Sequence, residues 1–280
     1  MLAILMATYN SEHYLPAQID SLIAQTYKDW QLYIHDDGST DGTPSIIARY
    51  VEQDSRIHFL PDDRPRGARD SFMWLLERVQ SDYYMFSDHD DVWLPTKIEQ
   101  SVAVMMQQPD REQTPLIVCT DSKCVSEDLT VTAESHWQMR QHRPWMFTDK
   151  WYHLCFDNIL GCTMLFNRAA RAVSLPYPPN TQMHDSWVAL AVLWRGGRIV
   201  PIYQQLMLYR QHGDNVVGVH EMPTLYQQCR NVVNLWKKTR VQHEASRPLT
   251  RIPFLLFFLI KLYYSLTEHF LLWRCKKGQR

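Results

Sequence analysis

Asp88, His89, Asp90 and Asp91 occupy four consecutive positions, directly after the apolar run Tyr83–Phe86 and Ser87. Carboxylates this close repel one another, and burying them without a cation is costly. Asp88 and Asp90, separated by one residue, offer the hard oxygen ligands that suit Mn²⁺ or Mg²⁺. Such an ion would also neutralise a diphosphate. A solvated acidic turn is the plain alternative, but Trp93 and the apolar run beside the cluster fit a surface turn poorly. An EF-hand is a poor fit, because the glycine and late glutamate of that loop are missing.

Three further stretches carry chemistry. His35–Thr43, "HDDGSTDGT", can cradle a nucleotide through turn amides and a carboxylate, or be an ordinary Asx-rich turn. In "MHDSW", Asp185 precedes an apolar run, so it reads either as a helix N-cap or as a general base at a cleft rim. In "YRQHGDN", His212 follows a strand and is either a metal ligand or a satisfied histidine.

The elements that must position these residues alternate. Leu2–Ala7 is a continuous apolar run, as a buried parallel strand requires. A helix is expected over Glu12–Ala24, then a strand from Trp30, a helix over Thr43–Val51, a strand at "IHFLP", a helix over Ser71–Val79 and a strand at "YYMFS". This rhythm predicts an α/β fold with a parallel sheet covered on both faces. Pro115–Asp121 and Asn158–Arg168 read as strands, and "MHDSWVALAVLWRGG" as a buried helix stopped by Gly196 and Gly197. "RIVPIYQQLMLYRQHGDN" reads as two strands and a loop. Glu127–Lys150 is polar, Trp-rich and without a period, so loops and an acceptor-facing flap are expected there.

Six scattered cysteines form no Cys-x-x-Cys pair and no zinc spacing, which argues against a disulfide scaffold and for free thiols in a reducing, cytosolic setting. The opening "MLAILMATYN" lacks the basic flank and apolar length of a signal peptide. The formal net charge of −1 hides an asymmetry: Thr224–Arg280 holds 11 Lys and Arg against 2 Asp and Glu. A basic tail on an acidic body points to an anionic partner. Because its basic residues are interleaved with Leu and Phe, a membrane surface is favoured and nucleic acid is not. Lys261, Glu268 and His269 interrupt any spanning segment of about 20 residues. A helix lying in the headgroup plane is expected, the alternatives being a helix docked on the body or a homodimer contact.

Taken together and in order, "ATYN" (Ala7–Asn10), "DDGSTDGT", "FSDHDDVWLPTKI", "GCTMLFN", "MHDSW" and "LYRQHGDN" resemble the family-2 glycosyltransferases, and among them bacterial cell-surface rhamnosyltransferases. The resemblance implies a GT-A fold, a Rossmann-like nucleotide-binding mixed sheet flanked by helices, over residues 1–220, with a C-terminal helical, membrane-associating segment over 221–280. It implies inverting transfer from a nucleotide-diphospho-sugar, dTDP- or UDP-linked, to a lipid-linked glycan at the cytoplasmic face of the inner membrane. Rhamnose is the favoured sugar; a hexose or N-acetylhexosamine donor, or a non-catalytic sugar-binding protein on the same fold, is the alternative.

Carried over by position, Thr8, Tyr9, Asn10 and Glu12 line the nucleotide pocket, and Asp37 recognises the base with Asp36 beside it. Asp90 contacts Mn²⁺ or Mg²⁺, Asp88 meets the ribose or the ion, and His212 supplies a further metal or diphosphate ligand. Asp185 matches the catalytic base. Among Arg64, Arg66 and Arg69, in the irregular stretch "DDRPRGARD", Arg66 is taken as the donor contact.

Overall fold

The computed structural model describes residues 1–62, 64–156, 159–179, 181, 183–213 and 232–278, with the backbone alone for 232–235 and 268–278. Asp214, Asn215 and Cys229 lie outside the described residues.

Strands β1 (Leu2–Thr8), β2 (Trp30–Asp36), β3 (Ile57–Phe59) and β4 (Tyr83–Ser87) run parallel, in the order β3-β2-β1-β4. Helices α1 (Leu15–Ile23), α2 (Thr43–Gln53) and α3 (Ala68–Arg78) connect them. β1 is buried throughout, which is why its sequence shows no alternation. The chain leaves β1 for β2 on one side and returns to β4 on the other. That reversal opens a crevice at the carboxyl ends of β1 and β4, where α/β sheets bind ligands.

Beyond β4 the sheet is mixed. β5 (Val92–Trp93) follows the acidic cluster and leads into α4 (Lys97–Met106); β6 (Leu116–Val125), β7 (Val131–Ala133), β8 (Met164–Asn167) and β9 (Arg198–Arg210) complete the nine strands. β8 is antiparallel to β4 and β6, β9 is parallel to β6, and β5 is antiparallel to β9. The parallel expectation therefore holds for the first half only. The two strands expected after Arg198 are one 13-residue strand, whose pairing with β6 shifts register beyond Ile202, opposite Thr120–Lys123, without ending.

Glu127–Lys150 is not a loose flap. It contains β7, α5 (His136–Met139) and a 3-10 turn (Pro144–Phe147), and Trp137, Met146 and Phe147 are buried. The buried Asp121 carboxylate of β6 accepts from Ser135 Oγ and from the Trp137 amide at 3.0 Å, which ties the segment to the sheet. Helices α6 (Lys150–Cys155), α7 (Arg168–Ser174) and α8 (His184–Trp194) follow. α8 is apolar on all sides and ends at Gly196, whose φ of 82° is a conformation open to glycine.

The C-terminal pair, α9 (Val232–Ser246) and α10 (Phe254–Gly278), docks on this body. Phe257 packs with Leu154, Cys155 and Leu190. Tyr264 packs with Met146 and Tyr152, and its hydroxyl donates to Asp149 at 2.6 Å. The docked-helix alternative is thus realised on one face of α10. Among the described residues no helix is long and apolar enough to cross a membrane. Cys119, Cys124, Cys155 and Cys162 are buried free thiols, as expected.

Burial lowers the pKa of His136 to about 4, of His142 to about 3 and of His153 to about 4. Each is neutral when folded and gains a proton on unfolding below about pH 6.5. Stability therefore falls as pH drops from about 6.5 toward 4. His153→Gln, which keeps a polar group near the Phe147 carbonyl, is expected to flatten this acid limb; melting temperature against pH measures it, and an unchanged slope would exclude His153 as a contributor.

Candidate active site

Parallel pairing in register places Thr8 of β1 beside Asp36 of β2, and Met6 beside Ser87 of β4. The three motif turns thus leave the same edge of the sheet. The Asp36 carboxylate accepts from Thr8 Oγ1 at 2.8 Å, Ser39 Oγ at 2.6 Å and the Ser39 amide at 2.9 Å. Asn10, at φ 46°, accepts from the Thr40 amide at 2.9 Å, and Glu12 accepts from the Gly42 amide at 2.6 Å. These side chains build the turn that a nucleotide would rest on. Tyr9 is 56% exposed at the mouth and free to cover a ligand.

Asp37 accepts from the amides of Arg66 and Gly67, at 2.6 and 2.8 Å, and from Ser71 Oγ at 3.1 Å. It clamps the start of α3, a favourable place for a carboxylate, so its position is fixed by three donors. The Arg66 guanidinium pairs with Asp62 and lies 5.2 Å from the centre of the Trp74 ring. Arg69 donates to the Thr181 carbonyl at 3.0 Å, and Arg64 is exposed.

At the end of β4 the acidic residues separate by role. Asp90 Oδ2 lies 2.9 Å from His212 Nε2, although 122 residues separate them in sequence. Asp91 is fully buried and accepts from the Arg210 amide at 3.1 Å. Arg210 Nε donates to the Asp90 carbonyl at 2.6 Å, and its guanidinium also reaches the Glu127 carbonyl. Tyr14 stacks on His212 at 4.5 Å, lies under Arg210 and donates to Glu127 at 2.9 Å. Gln18, oriented to satisfy both ends of its amide, donates to the Asp91 carbonyl at 2.7 Å and accepts from Trp93 Nε1 at 3.2 Å. Arg210, Tyr14 and Gln18 were not singled out from the sequence, and Asp91 was noted only as part of the acidic cluster. A buried-strand arginine two residues before His212 was the one available signal.

Beneath the cluster Lys97 is fully buried, with Nζ 3.7 Å from the centre of the Trp93 ring and donating to the Cys162 carbonyl. Burial lowers its pKa to about 8. The 3-10 turn Gly161–Thr163, which contains Cys162, presents the Gly161 amide to Asp185 Oδ2 at 2.9 Å. A β-carbon on Gly161 would lie 2.8 Å from His184 Nε2 and 3.2 Å from the Asp185 β-carbon, so only glycine permits this approach. Asp185 is not the helix N-cap. Met183 holds that position without a side-chain cap bond, and Asp185 is the second residue of α8. There the positive end of the helix favours its charge.

Burial, followed by Asp90 and Asp185, raises the Asp88 pKa to about 7. Asp88, Asp90 and Asp185 therefore share one field, which neither strand nor helix alone reveals. Asp88, Asp90 and His212 are of the donor types that suit a hard divalent cation, but among the described residues only Asp90 and His212 meet directly, and Asp88 is not gathered with them around one point. Asp88, Asp91 and Cys162 lie close enough to share an ion. Burial and the two carboxylates push the Cys162 thiol well above its usual pKa, which leaves it protonated and unsuited to Mn²⁺ or Mg²⁺.

Residues 3–170, more than half of the chain, match the glycosyl transferase family 2 profile. The chain belongs to glycosyltransferase family 2. A glucosyltransferase of Escherichia coli, WfgD, described as acting on α-D-GlcNAc-diphosphoundecaprenol with UDP-Glc, is 33% identical over 107 residues, 38% of this chain and 42% of that protein. The match thus spans about two fifths of that relative's length. The dTDP-rhamnosyl transferase RfbG of Shigella flexneri is 26% identical over 259 residues, 86% of this chain and 83% of its own. Among solved structures, Staphylococcus aureus TarS 1–349 with UDP-GlcNAc aligns with a TM-score of 0.63 at 14% identity, covering 93% of this chain and 70% of TarS 1–349. The mannosyltransferase PcManGT of Pyrobaculum calidifontis, with GDP-Man and Mn²⁺, aligns at 0.60 and 16%, covering 94% and 68%. The fold is GT-A.

The raised pKa gives a signed expectation. Without an ion, folded Asp88 keeps its proton up to about pH 7, whereas the unfolded chain releases it near 4. Its contribution to stability is therefore present at low pH and lost as pH rises through 7. Asp88→Asn is expected to melt higher than the parent at pH 8 in chelator. Mn²⁺ should raise the parent's melting temperature more at pH 8 than at pH 6, and leave the variant almost unmoved. An Mn²⁺ shift equal in both proteins would remove Asp88 from the ion's ligands.

Proposed function

We propose that the chain transfers a sugar, with inversion, from a nucleotide-diphospho-sugar to a hydroxyl of a lipid-linked glycan in bacterial surface polysaccharide synthesis. The observation that carries this reading is the placement of Asp185: a carboxylate pinned at a helix start, facing the acidic end of β4 across the Gly161 turn. A binding module needs no such base. Rhamnose from a dTDP donor is favoured by the motif resemblance and by the extent of the match to a rhamnosyl transferase, with hexose and N-acetylhexosamine donors as the alternative.

In this reading Thr8, Tyr9, Asn10, Glu12 and Asp36 shape the nucleotide pocket. Asp37 holds the Arg66–Gly67 backbone that closes the pocket's side, and accepts from the base. Asp88, Asp90 and His212 would hold Mn²⁺ or Mg²⁺, which when bound supplies positive charge for the leaving diphosphate. Asp185 takes the proton of the acceptor hydroxyl. The acceptor oxygen then forms a bond to the anomeric carbon as the bond from that carbon to the diphosphate oxygen breaks, and the nucleoside diphosphate leaves with the electron pair. A carboxylate acting as general base contributes roughly 10²–10⁴-fold. The meeting of a nucleotide sugar with a lipid-linked acceptor places the enzyme at the cytoplasmic face of the inner membrane.

Asp185→Asn tests the assignment. The amide can accept from only one of the Gly161 and Ser186 N–H groups that the carboxylate now serves, a cost of about 1 kcal/mol. The variant is expected to fold, melt slightly lower and bind donor with Mn²⁺ by calorimetry, yet turn over about 10²-fold or more slowly. Turnover within a few-fold of the parent would leave the reaction without its base.

A further inference from the structure

Helix α10 has two apolar faces, and the fold uses one. Phe257 and Tyr264 are buried against α6 and α8. Leu255, Leu256, Leu259, Leu262, Tyr263 and Leu266, at helical spacing on the side away from that contact, are between 44% and 68% exposed. Trp236 of α9, 47% exposed, packs edge-on against Phe254 at the start of this face. Around it Lys237, Lys238, Arg240, Arg247 and Arg251 are exposed.

We propose that this leucine face is the docking surface for an anionic lipid bilayer, with α10 lying in the headgroup plane while its opposite face holds the catalytic body. The inference rests on the lipid-linked acceptor proposed above and specifies how that acceptor is met. Charge decides between the two candidate occupants. Between residues 236 and 267, Lys237, Lys238, Arg240, Arg247 and Arg251 are exposed against one exposed acid, Glu244. In a twofold dimer through this face the same basic surface would meet itself, at a cost. An anionic leaflet instead attracts it, by about 1 kcal/mol for each Lys or Arg near the surface. Exposed Trp and Tyr beside the leucines suit the interface between headgroups and chains.

The docking also fixes the height of the site. Leu190 and Trp194 of α8 lie in the cluster around Phe257, five and nine residues beyond Asp185. At about 1.5 Å per residue, plus the width of one packed helix, Asp185 lies no further than about 30 Å from the bilayer surface.

Flotation of the full chain with phosphatidylcholine vesicles containing one quarter phosphatidylglycerol tests the surface. The parent is expected to float, with binding falling as salt rises. The triple variant Leu259→Gln, Leu262→Gln, Leu266→Gln should bind at least tenfold more weakly with the parent's melting temperature, since these side chains are exposed. Lys237→Glu with Lys238→Glu should lose binding selectively on anionic vesicles. Asp185→Asn should float like the parent, so a failed base assignment leaves this result intact. Equal flotation of parent and triple variant would overturn the proposal, as would a parent that ignores vesicles and sediments as a dimer that the triple variant dissociates.

Discussion

The structure turns on the crowding of Asp88, Asp90, Asp91 and Asp185 at the carboxyl end of β4. Four carboxylates in a partly dry crevice repel one another, and the chain manages them individually. Asp91 is sealed against the Arg210 amide, Asp90 faces His212, Asp185 is held by the Gly161 amide, and Lys97 supplies a buried positive charge below. Asp88 and Asp91 bear the remaining strain: burial and the neighbouring carboxylates raise the Asp88 pKa to about 7 and push Asp91 well above the usual carboxylate range. A divalent cation would relieve it. The same field that makes the empty cluster costly makes it a ready seat for a metal and a diphosphate.

Most of the surrounding architecture serves that constraint. β5 pairs with β9, Val92 opposite Leu208 and Trp93 opposite Met207, which carries Arg210 and His212 back over the acidic turn. Gln18 reaches the same turn from α1, and Tyr14, just before that helix, stacks on His212, so two elements distant in sequence hold the acidic turn. The nucleotide side is built differently. Asp36 serves the Ser39 amide of its own turn, Asn10 and Glu12 serve the Thr40 and Gly42 amides of that turn from the loop after β1, and Asp37 serves those of the Arg66 loop. Here the acidic side chains shape a pocket first, leaving recognition to the geometry they create.

The C-terminal pair joins this chemistry to its surroundings. Tyr264 donates to Asp149, the residue that caps α6, and Phe257 packs against α8, the helix that carries Asp185 in its first turn. A surface helix is thus rigidly connected to the proposed base through ordinary packing. The apolar residues on its far side have no such partner among the described residues.

The parallel half of the fold was legible in the sequence because local signals suffice there: unbroken apolar runs for strands buried on both faces, and Gly-Asp turns between them. The candidate site residues were legible as motifs, since their residue types are rare in those combinations. What the sequence could not supply was distance. The meeting of Asp90 with His212, and of Asp185 with Asp88, comes from sheet order and from the Gly161 approach, neither of which leaves a local periodic trace. The Glu127–Lys150 segment showed no period for a related reason: its elements are only three or four residues long, and Ser135 and Trp137 are tied down by Asp121, a partner on another strand. Asp185 read as a cap because the residue type permits it, and only the backbone placed Met183 there instead. For α10, sequence showed an apolar helix without a preferred side; tertiary packing chose which side is buried, and so which side is left to face outward.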